Sequence, residues 1–164
     1  MTADVLVERD GPTAIVTFNR PDARNAMTFE MYDALHDLCE RLDADRDVRV
    51  LLLKGAGDRA FASGTDIRQF LDFKTEQDAL GYEARLSRTL SRLAGMRKPT
   101  IAMAQGDAVG GGFFIALACD LRLAAPHARF GVPVARTLGN FLAPVSLSLM
   151  AATVGPVRAR ESSC

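Results

Sequence analysis

The sequence lacks the features that mark secreted, membrane and nucleic-acid-binding proteins. Its basic and acidic side chains balance at 20 each, so no excess positive charge is available for nucleic acid or an anionic membrane. No apolar run approaches the roughly 20 residues that span a bilayer, and the N-terminus resembles no secretory signal. Three widely spaced cysteines fit a reducing compartment without a disulfide framework. We therefore expect a cytoplasmic protein that binds neither nucleic acid nor membrane.

What is present is the composition of a globular domain. Hydrophobic residues make up 48% of the 164 residues and charged ones 24%, and a chain of this length forms one domain by default. No internal repeat, low-complexity tract or linker divides it. We expect a single folded unit.

Strand and helix patterns alternate along the chain. Strands are predicted at Val5–Glu8, Thr13–Phe18, Val48–Leu53 (buried on both faces), Thr100–Ala104 and Leu121–Ala124. Helices are predicted after an N-cap at Thr28, within Thr75–Gly95, over Phe113–Ala118 and over Ala143–Glu161. The residues between the second strand and Thr28 read as a loop, and Asp10-Gly11 before a β-branched run indicates a hairpin. This alternation predicts the α/β class with a largely parallel sheet.

Three glycine-bearing segments follow predicted strands, where α/β proteins place functional loops. The first, Gly55–Ala60, has the form of the G-x-G-x-x-G/A dinucleotide fingerprint. That fingerprint needs a helix starting within the glycines, so that a pyrophosphate meets free N–H groups. The residues that follow have no helical period, so we do not expect a dinucleotide site there.

The other two segments are Phe61–Ile67 and Gly106–Phe113. Small residues in the former let a ligand lie against the backbone, and Asp66 is placed to N-cap a short helix through Phe73; a capped tight turn is the alternative. In the latter, the Gly110–Gly112 triplet either permits close helix packing or presents N–H groups at a helix N-terminus. Because both segments follow a strand and precede a helix, their N–H groups can converge on one oxygen. One donor of such an oxyanion hole is typically worth about 2.7–4 kcal/mol of transition-state stabilisation.

Four stretches carry a family resemblance: FNRPDARNAMT (Phe18–Thr28), AFASGTDI (Ala60–Ile67), KPTIAMAQGDAVGGGFFIALACDLRLA (Lys98–Ala124) and ARFGVP (Ala128–Pro133). In this order they resemble the crotonase superfamily, also called the enoyl-CoA hydratase/isomerase family, in register from about Val5 to Glu161. The resemblance implies a crotonase-like spiral of ββα units. It also implies an acyl-CoA thioester substrate, with coenzyme A as part of that substrate and no separate cofactor or metal.

The resemblance also implies which residues form the site. The backbone N–H groups of Thr65 and Gly111 would hold the thioester oxygen, which leaves the side chain at position 65 free to vary. Residues touching the coenzyme would be Arg24, Ala26, Ala62, Asp66 and Ile67, with Arg24 either meeting a phosphate or remaining a solvated loop arginine.

Two positions depart from the family pattern. A family hydratase uses two glutamates as general acid and base, and here Phe114 and Val134 occupy those positions. Neither side chain can move a proton, a contribution typically worth about 10²–10⁴-fold. Other polar residues are poor substitutes: we expect Asp107 to tie down its loop, Asp120 to cap or pair, and His127 to be exposed in a turn, while Arg136 and Asn140 are poor bases at neutral pH.

Family members continue into C-terminal helices that close the acyl pocket and build a homotrimer or a dimer of trimers. Here the predicted helical run stops in Ser162–Cys164. We therefore expect a truncated or frameshifted member, with a crotonase-like core over 1–161 and a non-native tail over 162–164. Three hypotheses stay open: an acyl-CoA enzyme of the hydratase or isomerase type, an acyl-CoA-binding module that has lost its proton-transfer groups, and a structural fragment without a ligand.

Overall fold

A computed structural model describes residues 3–133 and 144–163. Its strands are β1 (Val5–Asp10), β2 (Thr13–Phe18), β3 (Val50–Gly55), β4 (Ala60–Ala62), β5 (Thr100–Ala104), β6 (Asp107–Val109), β7 (Leu121–Ala124) and β8 (Phe130–Gly131). Its helices are α1 (Phe29–Ala44), α2 (Glu76–Ala94), α3 (Gly111–Ala118), α4 (Pro144–Val154) and α5 (Pro156–Ser163). Two 3-10 helices lie at Pro21–Ala23 and Ile67–Asp72.

A five-stranded sheet in the order β1-β2-β3-β5-β7 forms the larger layer. The predicted hairpin joins β1 and β2 antiparallel, and every other pair in this sheet is parallel. The α/β class with a largely parallel sheet is therefore confirmed. Strand β3 starts two residues later than predicted, and only alternate residues such as Leu51 and Leu53 are fully buried. The prediction of burial on both faces was wrong, because the described residues only partly cover the second face.

A second, three-stranded sheet in the order β4-β6-β8 is parallel throughout and was not predicted. Its strands are two or three residues long, too short to show a period of two. Part of the segment interpreted as a ligand-facing loop, Ala60–Ala62, is therefore strand β4. The glycine-rich stretch before it leads into this strand rather than a helix, in agreement with the rejection of a dinucleotide fingerprint.

The long helices α1 and α2 begin close to the predicted positions, and α2 also ends close to its predicted position. Thr28 caps α1 by accepting a hydrogen bond from the Met31 N–H at 3.2 Å. Helix α2 begins after a capping box formed by Thr75 and Asp78, and it packs against α1. The predicted C-terminal helical run is two helices, because Gly155 between them has a φ of 84°. No helix among residues 3–133 and 144–163 is both long and apolar enough to cross a membrane.

Asn25 anchors the loop between β2 and α1. It is fully buried with a φ of 55°, and its side-chain amide donates to the carbonyl oxygens of Ala56 at 3.0 Å and Ala60 at 2.7 Å. Its side-chain oxygen accepts a bond from the Arg20 N–H at 3.0 Å. These bonds hold the loop against the chain that leads into β4, and so fix it beside the second glycine segment.

Candidate functional site

Thr65 and Gly111 follow neighbouring strands of the smaller sheet. Ala62 of β4 pairs with Ala108 of β6 in parallel register, and Thr65 and Gly111 each come three residues later. Because the carboxyl ends of parallel neighbours meet at one sheet edge, the two residues leave their strands side by side. The sheet ladder therefore sets how they are placed relative to each other.

The turns that carry them are in contact through glycines. A Cβ atom added to Gly64 would lie 3.3 Å from the Val109 carbonyl oxygen and 3.9 Å from the Gly111 nitrogen. One added to Gly110 would lie 3.6 Å from the Gly64 Cα. Both glycines have positive φ, 103° and 53° respectively, which favours residues without a Cβ. Close approach of the two backbones thus depends on glycine on each side.

The backbone N–H groups of Thr65 and Gly111 have no hydrogen-bond acceptor among residues 3–133 and 144–163. Their neighbours do have acceptors: Asp66 N–H donates to the Met27 oxygen and Gly110 N–H to the Gly131 oxygen, both at 2.9 Å. Gly111 is the first residue of α3, so its N–H is one of those that a helix leaves unpaired. Both amides are therefore available to an external oxygen.

The Thr65 side chain joins two tyrosines in a chain of hydroxyl groups. Thr65 Oγ1 lies 2.8 Å from Tyr32 Oη and 2.8 Å from Tyr82 Oη. A Cβ on Gly111 would lie 2.2 Å from Tyr32 Oη, so the three hydroxyl groups also pack against the first residue of α3. In this chain the side chain at position 65 is also engaged, because its hydroxyl has two hydrogen-bond partners.

Sequence reasoning missed both tyrosines, since α1 and α2 deliver them from 33 and 17 positions away. Tyr32 does lie on the apolar face of α1, between the buried residues Met31 and Leu35. A phenol on such a face needs a partner for its hydroxyl. That was the available signal.

Burial shapes the protonation of this region. It raises the pKa of the fully buried Tyr32 phenol far above its ordinary value, and it also raises the pKa of Tyr82. Both phenols therefore stay protonated near neutral pH and act as donors rather than bases. Burial raises the pKa of Glu83, the next residue of α2, whose Oε2 is enclosed without a hydrogen-bond partner among the described residues.

Asp66 caps the 3-10 helix that follows the first turn, as predicted, although that helix ends at Asp72 rather than Phe73. Its carboxylate accepts bonds from the Arg68 guanidinium at 2.7 and 2.9 Å and from Arg20 at 3.0 Å. The Arg68 hydrogen bonds hold the pKa of Asp66 well below its usual range, with help from Arg20. This side chain is already neutralised within the protein.

The residues expected to touch the coenzyme lie on two neighbouring segments. One is the loop between β2 and α1, and the other runs from the end of β4 through Thr65 to the 3-10 helix. Ser63 N–H donates to the Arg24 carbonyl at 3.1 Å. The Arg24 side chain is exposed without a partner among the described residues, while Ala26 is half-buried. Ala62 is fully buried in β4, and Ile67 is 58% exposed.

Helix α3 holds no ionisable side chain and is buried along its whole length. Phe114 is 3% exposed within it. A Cβ on Gly112 would lie 2.1 Å from the Ala62 carbonyl oxygen, so this glycine serves close packing, as one of the two readings of the triplet expected. The helix begins at Gly111, two residues before the predicted start at Phe113.

The polar residues considered as substitute acids or bases have these positions. Asp120 pairs with Thr100, accepting from its N–H at 2.8 Å and its hydroxyl at 2.9 Å, as expected. His127 is exposed. Asp107 does not tie down its loop as expected: it lies in β6, where its side chain has no partner among the described residues. Val134, Arg136 and Asn140 lie outside the described residues.

The chain resembles known proteins in sequence. The family model for enoyl-CoA hydratase/isomerase matches residues 8–163. The probable enoyl-CoA hydratase of Mycobacterium tuberculosis is 40% identical over 129 residues, which are 79% of this chain and 49% of that protein. The (E)-benzylidenesuccinyl-CoA hydratase of Thauera aromatica is 41% identical over 128 residues, 78% of this chain and 49% of that protein. The chain spans about half the length of these curated relatives.

Solved structures show the same relationship. A crystal structure of an enoyl-CoA hydratase/carnithine racemase from Magnetospirillum magneticum matches with a TM-score of 0.93 and 34% identity, covering 99% of this chain and 61% of that one. A protein of the enoyl-CoA hydratase/isomerase family from Hyphomonas neptunium matches with a TM-score of 0.92 and 33% identity, covering 99% and 62%. The resemblance inferred from four sequence stretches is confirmed: the chain belongs to the enoyl-CoA hydratase/isomerase family, within the crotonase superfamily.

Proposed function

We propose that the protein acts on an acyl-CoA thioester, and that the N–H groups of Thr65 and Gly111 stabilise the oxyanion formed at the thioester oxygen. One observation carries this proposal: the two amides, which have no acceptor among residues 3–133 and 144–163, lie on turns that touch through Gly64 and Gly110. Formation of a thioester enolate puts negative charge on one oxygen, and two fixed donors stabilise it more than water does.

The coenzyme would lie along the segment that follows β4 and along the loop beside it. Arg24 is the candidate for a phosphate, because its guanidinium is exposed and uncommitted among the described residues. Asp66 is neutralised by Arg68, so any contact there would come from its backbone. Ile67 offers exposed apolar surface, while Ala26 and Ala62 contribute backbone and small size.

A second candidate function is an acyl-CoA-binding module without turnover. The observation that favours it is the apolar character of α3, where Phe114 is buried at the position of the family's first glutamate. Binding needs the amides and the coenzyme contacts, whereas hydration of a double bond also needs a proton donor and acceptor. The two functions therefore share a site and differ in chemistry.

Calorimetry with crotonyl-CoA, together with loss of the enoyl-thioester absorbance, separates these possibilities. Turnover supports the enzyme, whereas binding without turnover supports the module. Absence of binding refutes both.

Replacing the amide at Gly111 by an ester then tests the donor itself. This exchange removes one N–H and adds no side-chain atom near Tyr32. Turnover should fall about 100- to 1,000-fold if that N–H stabilises the oxyanion. For a protein that only binds, the thioester should lose affinity while free coenzyme A keeps it. Unchanged values for the ester form would count against the assignment of Gly111.

A further inference from the structure

The chain of hydroxyl groups formed by Tyr32, Thr65 and Tyr82 has one hydrogen more than its internal bonds use. Three hydroxyls carry three hydrogens, and the two 2.8 Å contacts consume two of them. No other described residue accepts a hydrogen bond from these hydroxyls. One O–H group is therefore left for a ligand.

Burial determines which hydroxyl is the donor in the hydrogen bond between Tyr32 and Thr65. Tyr32 is fully buried, and Thr65 Oγ1 is the sole described partner of its hydroxyl. A buried donor left unpaired costs about 1–3 kcal/mol, so Tyr32 donates to Thr65. Thr65 then donates to Tyr82, because hydrogen bonds aligned head to tail polarise and strengthen one another. The hydroxyl hydrogen that makes no bond within the group is therefore that of Tyr82.

The Tyr82 ring is held in place by aromatic neighbours. Phe70 packs edge-on at 4.9 Å between ring centroids and Phe29 lies at 5.8 Å. The hydroxyl is thus fixed 2.8 Å from the side chain of Thr65, the residue whose backbone offers one of the two candidate amides. A donor that is oriented before a ligand arrives costs little to reorganise.

We propose that the Tyr82 hydroxyl is a third hydrogen-bond donor to the thioester oxygen of the bound acyl-CoA, with Tyr32 and Thr65 Oγ1 as positioning residues. The inference rests on the proposed function, because it needs a thioester held by the amides of Thr65 and Gly111. The three linked hydroxyl groups donate a hydrogen bond to the thioester oxygen and transfer no proton. It stabilises negative charge on oxygen without a carboxylic acid at position 114.

A thioester and its thioether analogue test this directly, because they differ only at the carbon next to sulfur, which carries the carbonyl oxygen in the thioester and two hydrogens in the thioether. The dissociation constants of butyryl-CoA, which has no double bond to hydrate, and of S-butyl-CoA, its thioether, are measured calorimetrically for the natural protein and for Tyr82→Phe. The preference for the thioester should fall about 3- to 10-fold in Tyr82→Phe, the usual weight of one hydrogen bond. The thioether affinity should stay within twofold, a pattern that a merely structural role of Tyr82 would not produce.

Two further variants test the chain. Tyr32→Phe and Thr65→Val should also lower the thioester preference, since each removes a link that orients Tyr82. Thr89→Val is the matched control, because it removes a buried hydroxyl that bonds the Tyr32 carbonyl at 3.2 Å and takes no part in the chain. Thr89→Val should prefer the thioester over the thioether as strongly as the natural protein does. Melting temperatures establish that each variant is folded.

The outcomes separate the two proposals. A natural protein that binds thioester and thioether equally refutes the proposed function itself. A natural protein that prefers the thioester, with the preference retained in Tyr82→Phe, overturns the role of Tyr82 alone. An equal loss in Thr89→Val also overturns it, because the effect would then follow from the loss of any buried hydroxyl near Tyr32.

Discussion

Gly111→Ala and Tyr32→Phe should be strongly coupled in their effects on stability. An alanine Cβ at position 111 would lie 2.2 Å from Tyr32 Oη, well inside any real contact distance. Tyr32 is fully buried and cannot swing aside into solvent. Overpacking of this kind costs about 1–3 kcal/mol of the free energy of unfolding.

Removing the phenolic oxygen should relieve most of the clash, leaving a tight contact of 3.3 Å to Thr65 Oγ1 that needs a shift of only a few tenths of an ångström. The next atom of the ring, Tyr32 Cζ, would be 3.4 Å from the new Cβ, which is ordinary van der Waals contact. Tyr32→Phe alone should cost about 0.5–1.5 kcal/mol, through the lost bond to Thr65. The double variant should cost little more than Tyr32→Phe alone, which gives a coupling energy of about 1–3 kcal/mol.

Urea unfolding of the four proteins in the cycle measures this coupling. Gly112→Ala is the control, because its Cβ would lie 2.1 Å from the Ala62 carbonyl oxygen, a backbone atom that Tyr32→Phe does not move. Its cost should add to that of Tyr32→Phe. Additivity within about 0.5 kcal/mol for the Gly111→Ala pair would refute the packing described for Tyr32.

Three other predictions concern stability, each measured by urea unfolding. Asp66→Asn should lower the free energy of unfolding at pH 7 and make it depend less steeply on pH below 4. Arg68 depresses the pKa of Asp66, so its stabilisation is present above the unfolded pKa of about 3.9 and is lost as pH falls towards the folded value. An unchanged pH profile would contradict this. Asn25→Ala should cost about 2–3 kcal/mol, because it strips the Ala60 carbonyl of a buried donor, and a cost below 1 kcal/mol would argue against that bond. Thr75→Ala should cost about 1 kcal/mol by opening the capping box of α2, whereas Thr75→Ser should cost less.

The sequence predicted those elements that are long or bounded by strong local signals. Thr28 marks a helix start because its side-chain oxygen satisfies a free N–H group there. Thr100–Ala104 was found at the observed bounds, since its apolar run directly follows Pro99, which the interior of a helix does not tolerate. Strands β4, β6 and β8 were missed because their pairing is non-local and each is too short for periodicity.

The candidate site divides in the same way. Thr65 and Gly111 were proposed from the sequence because glycine turns after strands carry a local signature and a family pattern. Tyr32 and Tyr82 were not, because nothing in a sequence tells which phenols two separate helices will bring to one threonine. The packing role of Gly112 depends equally on β4, a strand that the sequence did not reveal.

The pairing of Ala62 with Ala108 has a consequence for how such a protein can change over time. The spacing between the two amides is inherited from a backbone ladder, in which neighbouring strands lie about 4.8 Å apart whatever their side chains are. Side chains near these turns can therefore differ, as the buried Phe114 illustrates at the position of a family glutamate, without a change in the spacing of the two backbones. The backbone spacing of these turns and the identity of the side chains around them can therefore change independently.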